Sequence, residues 1–371
     1  MKKRTLLFIL AAVCTLLIGS ALAAGGDAGD PLISLSFLTK TFSASVDRST
    51  AEALDRSDKT LSDGANAQWQ KILAAAEASV GTDYTAVFQE RRFKQDDILS
   101  GPTGLQVMLL AGSMKVEFSS GAVVDVTAGK EVASGAALSA NHRYLVAEDT
   151  AALFSVTSKT AVADYCGAYS VTASAKVDYN AMAEALKTLH LFRGSDTGYG
   201  QGFDLERAPT RTEALVMLIR LLGEEEAALA YTGTHPFRDV PGWAAPYVAY
   251  AYQMGYSNGV GSDQFGSSMP ASVQMYTEFI LRALGYSSTA QTDISDALAR
   301  AQNCGAITAG ECAAFSDGTF LRADVVYLSY YALDVSLSGA PHTLGGKLEQ
   351  RGVFTPSELF QAHHLVTSAR L

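Results

Sequence analysis

The sequence predicts a multidomain α+β protein, in which short N-terminal helices and a small all-β domain precede an all-α bundle of three repeats. Two changes in hydrophobic periodicity predict this order. Between residues 83 and 176 apolar and polar residues alternate, as in half-buried strands, and from residue 178 apolar residues recur at helical spacing. The helical part repeats a helix–loop–helix unit, which predicts one core shared by the units.

The composition indicates an extracytoplasmic globular protein. Of the 371 residues, 48% are hydrophobic and only 18% are charged, which suffices for more than one buried core. The formal net charge is −10. A chain this acidic is expected to avoid nucleic acid and anionic membranes.

Residues 1–24 predict a cleaved signal peptide. Lys2, Lys3 and Arg4 form a basic start, an apolar run follows, and Ala21-Leu22-Ala23 provides a small-residue cleavage site. The apolar run is shorter than the roughly 20 residues that span a bilayer. We therefore expect a secreted protein with no membrane span after cleavage.

Residues 25–82 are expected to form a leader and a short helical segment. Leu54, Leu61 and Trp69 fall at helical spacing, and Asp63-Gly64 is expected to divide the segment into two short amphipathic helices. The following β-domain, over 83–176, is predicted as a barrel, roll or sandwich, because short β-rich runs alternate with glycine turns. Those runs are 105–110, 115–118, 122–126 and 143–146. Nothing in them predicts a ligand or a protein partner.

The helical part, over 177–371, divides into three units at about 178–230, 235–287 and 292–340, followed by a C-terminal helix. Thr210 and Glu213 have the spacing of a capping box at the start of a helix, and Thr355 and Glu358 repeat that spacing in the last helix. Residues 224–234, between the first two units, are expected to be a loop.

The second unit has the most informative sequence. Residues 235–285 contain, in order, F-x-D-V-P, W-A, G-Y-x-N-G-V-G, F-G and R-A-L-G, and residues 210–213 of the first unit read T-R-T-E. Both stretches resemble S-layer homology motifs, and residues 293–333 resemble a third, looser copy. The resemblance implies a three-fold helical prism that holds pyruvylated secondary cell-wall polysaccharide in grooves between its repeats. It therefore implies a surface protein anchored non-covalently to a Gram-positive-type cell wall.

Alignment of the units places Arg211, Val273 and Arg322 at one equivalent position, in the first turn of a helix. A cation there opposes the helix dipole, so it needs an anionic partner. From the residues alone, that partner is either a bound carboxylate or a neighbouring acid, namely Glu213 or Asp324.

The resemblance favours the bound carboxylate and implies which residues bind the glycan. Arg211 and Arg322 would meet its acidic group, with Glu213 beside them, while Asp239 and Trp243 would line the groove. The middle unit, with Val273, lacks the arginine.

Enzyme signatures are not found in the sequence. No P-loop, G-x-S-x-G elbow or metal-ligand spacing stands out, so we predict no catalytic residue, no metal and no cofactor. Whether Cys304 and Cys312 pair stays open. Two alternatives to glycan anchoring also remain: a cell-wall enzyme whose site lies in the β region, where Asp125, Glu131 and His142 are scattered, and a protein-interaction scaffold with degenerate repeats.

Overall fold

The computed structural model describes residues 37–80, 83–197, 201–288, 290, 293–316 and 318–371. The predicted signal peptide and most of the leader lie outside these residues. The chain divides into two compact units, residues 1–74 and residues 75–371, and the second unit holds both the β region and the helical region.

The N-terminal part of the chain forms one long helix where two short ones are predicted. After a π-helical turn at Phe37–Phe42, helix α1 runs without a break over Ser43–Val80. The break expected at Gly64 is wrong, because a single glycine costs a helix only about 1 kcal/mol relative to alanine, and nothing lies within 4 Å of that position to force a bend. Among the described helices, none combines the length and apolar character that a bilayer span requires.

The β region is a curled antiparallel half-barrel. Its strands pair in the order β4-β8-β2-β9-β3-β7-β5-β6, and β1 adds to β9. Each strand points one face inward, around a core that includes Phe93, Leu99, Val107 and Phe154. The strands are β1 Asp83–Lys94, β2 Ile98–Pro102, β3 Gln106–Ala111, β4 Met114–Phe118, β5 Ala122–Asp125, β6 Lys130–Val132, β7 Arg143–Ala147, β8 Ala151–Val156 and β9 Thr160–Thr172.

The helical region has several short helices around a second core. Three of them, α3, α6 and α9, begin at the three residues that the sequence alignment equates, and each packs against the other two. The elements are α2 Tyr179–Thr188, β10 Ser195–Asp196, β11 Gln201–Gly202, α3 Arg211–Leu221, α4 Glu225–Leu229, a 3-10 turn Gly242–Ala244, α5 Ala245–Gln253, α6 Val273–Ala283, α7 Ala297–Asn303, α8 Ala309–Ser316, α9 Arg322–Ala332, α10 Leu344–Gln350 and α11 Pro356–Leu365.

Two local expectations are corrected here. The loop expected at 224–234 contains helix α4, because Glu224 and Glu225 are not solvated: Tyr256 donates a hydrogen bond to Glu224 (2.8 Å) and Arg220 pairs with Glu225 (2.8 Å). Because both carboxylates have partners, this acidic segment packs as a helix. In the third unit the helix–loop–helix pattern predicts the loop over residues 315–320, but the loop begins later, because Phe315 is a buried residue of α8.

The last residues of the chain close over the third unit. Arg370 forms an ion pair with the fully buried Glu311 (2.5 Å), and Tyr327 donates a second hydrogen bond to that carboxylate (2.6 Å). Although burial raises the pKa of Glu311, these donors lower it below its ordinary value. A carboxylate that is buried and charged depends strongly on its cation.

Arg370→Ala is therefore expected to lower the free energy of unfolding by about 3 kcal/mol, because it leaves the charge of Glu311 buried without its arginine. Lys115→Ala is the control, since Lys115 and its partner Glu117 are both about two-fifths exposed, and its effect should stay within about 0.5 kcal/mol. Urea denaturation followed by circular dichroism measures both. Equal effects would show that Arg370 is only a surface contact.

Candidate functional site

The start of helix α3 is held by a capping box. The Thr210 hydroxyl accepts from the Glu213 N–H (3.3 Å), and the Glu213 carboxylate accepts from the Thr210 N–H (2.7 Å). The same carboxylate pairs with both terminal nitrogens of Arg207, at 2.8 and 3.0 Å. Burial raises the pKa of Glu213, but Arg207 and the cap outweigh it and lower the pKa. Glu213 is thus neutralised by Arg207, and the ion pair to Arg211 considered from the sequence does not form.

Arg211, the first residue of α3, points into the protein. Its side chain lies between the rings of Phe265 and Phe279, at 5.1 and 5.0 Å from their centroids. One terminal nitrogen donates to the Ser257 hydroxyl (3.0 Å) and approaches the Gly259 carbonyl (3.5 Å). Among the described residues no carboxylate lies within ion-pair distance of this guanidinium, and its Nε, which is buried, has no hydrogen-bond partner.

The charge of Arg211 is therefore poorly compensated. Burial lowers its pKa to about 10, and the nearby positive charge of Arg282 acts in the same direction, while Asp239 opposes them. With that pKa the group remains a cation at neutral pH. A buried cation without a counter-ion is costly, so the arrangement favours a bound anion.

Arg211 lines a pocket of about 480 Å³ between α3 and α6, which we name the α3–α6 pocket. Two glycines of the loop over 257–262 contribute backbone to its wall. Gly259 has a φ of +78°, and an added Cβ would meet the Phe237 ring at 2.4 Å, so no larger residue fits. The lining residues are Arg211, Ser257, Asn258, Gly259, Val260, Gly261, Ser262, Met275, Glu278, Phe279, Arg282 and Ile294.

A second arginine, Arg282 of α6, also lines the α3–α6 pocket. Its Nε donates to Glu278 (2.7 Å), which also accepts from Arg300 of α7 (2.7 Å) and from the Ser287 hydroxyl (2.6 Å). The one carboxylate in the pocket wall is thus shared by two arginines, and the pocket keeps a positive balance. Arg282 belongs to the R-A-L-G stretch, and its role is not predictable from the sequence, because its position opposite Arg211 depends on tertiary packing.

Asp239 and Trp243 lie away from the walls of the α3–α6 pocket. The Asp239 carboxylate accepts from three successive backbone N–H groups, those of Phe265, Gly266 and Ser267 (2.7–2.9 Å). Burial raises the pKa of Asp239, but these donors lower it below its ordinary value. Asp239 thus holds the segment that carries the Phe265 ring against Arg211. Trp243 is 59% exposed, so its ring is accessible to solvent.

Arg322 occupies the equivalent position at the start of α9. It is buried, its Nε donates to the Phe203 carbonyl (3.3 Å), and its guanidinium lies 5.9 Å from the Phe192 ring. Burial lowers its pKa. As for Arg211, no carboxylate among the described residues pairs with it, since Asp324 is bound by Lys159 of the β region instead (2.5 Å).

The β region brings together two residues that seemed scattered in the sequence. The His142 Nδ1 lies 2.8 Å from Asp125, and the other oxygen of that carboxylate accepts from the Ala128 N–H (2.9 Å). The pair fixes a turn, and Glu131 lies on the neighbouring strand β6. Within the described ranges, no group of three or more His, Cys, Asp or Glu side chains could hold a metal ion, and Cys166 and Cys304 are free thiols.

Comparison with known proteins adds one finding. No family model matches the chain. A cell surface protein of Thermoanaerobacter kivui is 29% identical over 141 residues, which is 36% of this chain. The chain spans only 18% of that protein's length. The similarity supports a cell-surface nature and carries no information on a ligand.

The poorly compensated charge of Arg211 leads to a stability prediction. Arg211→Met keeps an apolar stem between the two phenyl rings and removes the buried charge, so it should leave the unfolding free energy unchanged or raise it by about 1 kcal/mol. Arg207→Met, which breaks the pair with Glu213, should lower it. Thermal melting without ligand compares the two variants. A strong loss on Arg211→Met would mean that its contacts within the protein already compensate the charge.

Proposed function

We propose that this protein is a secreted surface protein held non-covalently on the cell wall by binding an acidic secondary cell-wall polysaccharide, without catalysis. The observation that carries the proposal is Arg211, a buried cation in an open pocket with no carboxylate partner among the described residues. Arg322, at the start of α9, is also buried without a carboxylate partner among the described residues, although it does not line the α3–α6 pocket. In this proposal both guanidinium groups bind the carboxylate of a pyruvylated sugar.

Three further points support this proposal. The residues around 210–213 and 235–285 resemble S-layer homology motifs, and the three helices that would carry the repeats pack against one another. A similar protein, from Thermoanaerobacter kivui, is a cell surface protein. The pocket combines apolar residues, such as Phe279 and Ile294, with hydroxyl, amide and glycine groups of the loop 257–262, a mixture suited to a saccharide with both polar and apolar faces.

The five predicted glycan-binding residues take different roles in this proposal. Arg211 and Arg322 bind the acidic group directly. Glu213 keeps the start of α3 in place, and Asp239 holds the loop behind the pocket. Trp243 supplies an exposed ring against which a sugar of the same polymer stacks.

The proposal predicts a graded loss of polymer binding. Arg211→Ala should weaken binding of purified wall polysaccharide by roughly 10- to 150-fold, because a hydrogen bond to a charged group contributes about 1.5–3 kcal/mol. Arg322→Ala should also weaken binding, and the double variant should lose most of it. Val273→Ala is the matched control: it occupies the equivalent helix position, has no charge, and should change affinity little.

Isothermal titration with the polymer, before and after removal of its ketal acids, measures these affinities. Neutralised polymer should bind the parent protein as weakly as intact polymer binds the double variant. If the folded double variant binds intact polymer as tightly as the parent, the glycan proposal is wrong, and a scaffold with degenerate repeats becomes the better description.

A further inference from the structure

The pocket between α6 and α9, which we name the α6–α9 pocket, is the counterpart of the α3–α6 pocket. Each lies where the first residue of one helix faces the third residue of the next. In the α3–α6 pocket these residues are Arg211 and Met275, and in the α6–α9 pocket, of about 210 Å³, they are Val273 and Asp324. The first pair contributes a cation and the second an acid. In the α6–α9 pocket that acid is paired with Lys159, which lines the same wall, so the two pockets differ in charge.

The carboxylate of Asp324 has a strong electrostatic effect in the α6–α9 pocket, because its side chain is only 1% exposed. One carboxylate oxygen accepts from the Leu321 N–H (2.9 Å), which caps α9, and the other accepts from Lys159 (2.5 Å). Burial raises the pKa of Asp324 even though Lys159 lowers it. An acidic ligand in this pocket would meet a carboxylate that already needs its cation, so the pocket selects against acidic glycans.

Lys159 belongs to the tight turn between β8 and β9, and this turn is well fixed. The Lys159 carbonyl accepts from the Gln95 N–H (3.1 Å), and the Ser158 hydroxyl both accepts from the Ser113 N–H (2.8 Å) and donates to the Thr160 carbonyl (2.6 Å). The turn therefore presents the lysine in one direction. Its ammonium group also lies 6.0 Å from the centroid of the Phe315 ring, on the wall of the pocket.

We propose that the α6–α9 pocket is a socket for the β region of the same chain, and that the Lys159–Asp324 ion pair fixes the β region to the helical region. Other contacts lie along the same boundary: Asn180 donates to the Phe93 carbonyl (3.3 Å), and Arg92 lies 5.7 Å from the Phe203 ring. Where the α6–α9 pocket has Val273 in place of an arginine, a lysine of the β region thus forms part of the wall and pairs with the acid, whereas the α3–α6 pocket would bind a charged sugar. The statement about sugars rests on the proposed function, whereas the ion pair does not.

A double-mutant cycle tests the ion pair without any ligand. Lys159→Met should lower the melting temperature by roughly 5–10 °C, because it leaves Asp324 buried without a cation. Asp324→Asn keeps an acceptor for the Leu321 N–H, and the variant with both changes should melt above Lys159→Met alone. Lys176→Met is the control, since Lys176 and its partner Asp96 are both more than half exposed, and it should shift the melting temperature by less than about 2 °C. Additive shifts at positions 159 and 324 would overturn the proposal.

Polymer binding tests the socket. Lys159→Arg, which keeps the cation, and the folded Lys159→Met/Asp324→Asn variant should both bind wall polysaccharide with the affinity and stoichiometry of the parent protein. A clear loss of binding in the folded double variant would show that the α6–α9 pocket is a glycan site and would overturn the proposal. Parent-like binding by Arg211→Ala would instead refute the proposed function, while a non-additive cycle at positions 159 and 324 would still support the ion pair.

Discussion

The burial of positive charge at the start of α3 is the constraint on which the candidate site depends. Arg211 occupies the helix end whose dipole favours an anion, and it is enclosed by two phenyl rings. Both acids that could have neutralised it, Glu213 and Asp239, are engaged elsewhere, by Arg207 and by backbone N–H groups. Because the Arg211 charge lacks a counter-ion within the described ranges, the unliganded protein is less stable, and a bound anion would compensate that charge.

Much of the fold could be predicted from the sequence because it depends on local signals. The capping boxes at Thr210 and Thr355 and the glycines that end helices act within a few residues, so the predicted helix starts agree with the structure. The unbroken α1 was missed because the cost of one glycine is too small to outweigh its helix-forming neighbours. Strands β1, β2, β6, β8 and β9 have no counterpart among the runs predicted from the sequence. For β9 the reason is that its first part is buried almost continuously and lacks a clear alternation.

The candidate site could be predicted only in part, because tertiary packing decides which partners its charged residues have. The sequence identified the first residues of α3, α6 and α9, but it could not assign partners to the acids at the third position. The Arg207 partner of Glu213 is close in sequence, and the Lys159 partner of Asp324 is 165 residues away. Equivalent helix starts therefore contribute different charges: α3 contributes to the α3–α6 pocket an arginine that pairs with no described carboxylate, and α9 contributes a neutralised acid to the α6–α9 pocket. Only the tertiary structure decides this difference.

The most direct test of the account observes the Arg211 Nε–H by nuclear magnetic resonance while wall polysaccharide is added. The signal is assigned by its absence in Arg211→Met. Because this Nε is buried and has no hydrogen-bond partner among the described residues, the account predicts that its resonance shifts on addition of intact polymer and stays unchanged with polymer whose ketal acids have been removed. Binding of the intact polymer without any change in that resonance would contradict the central claim.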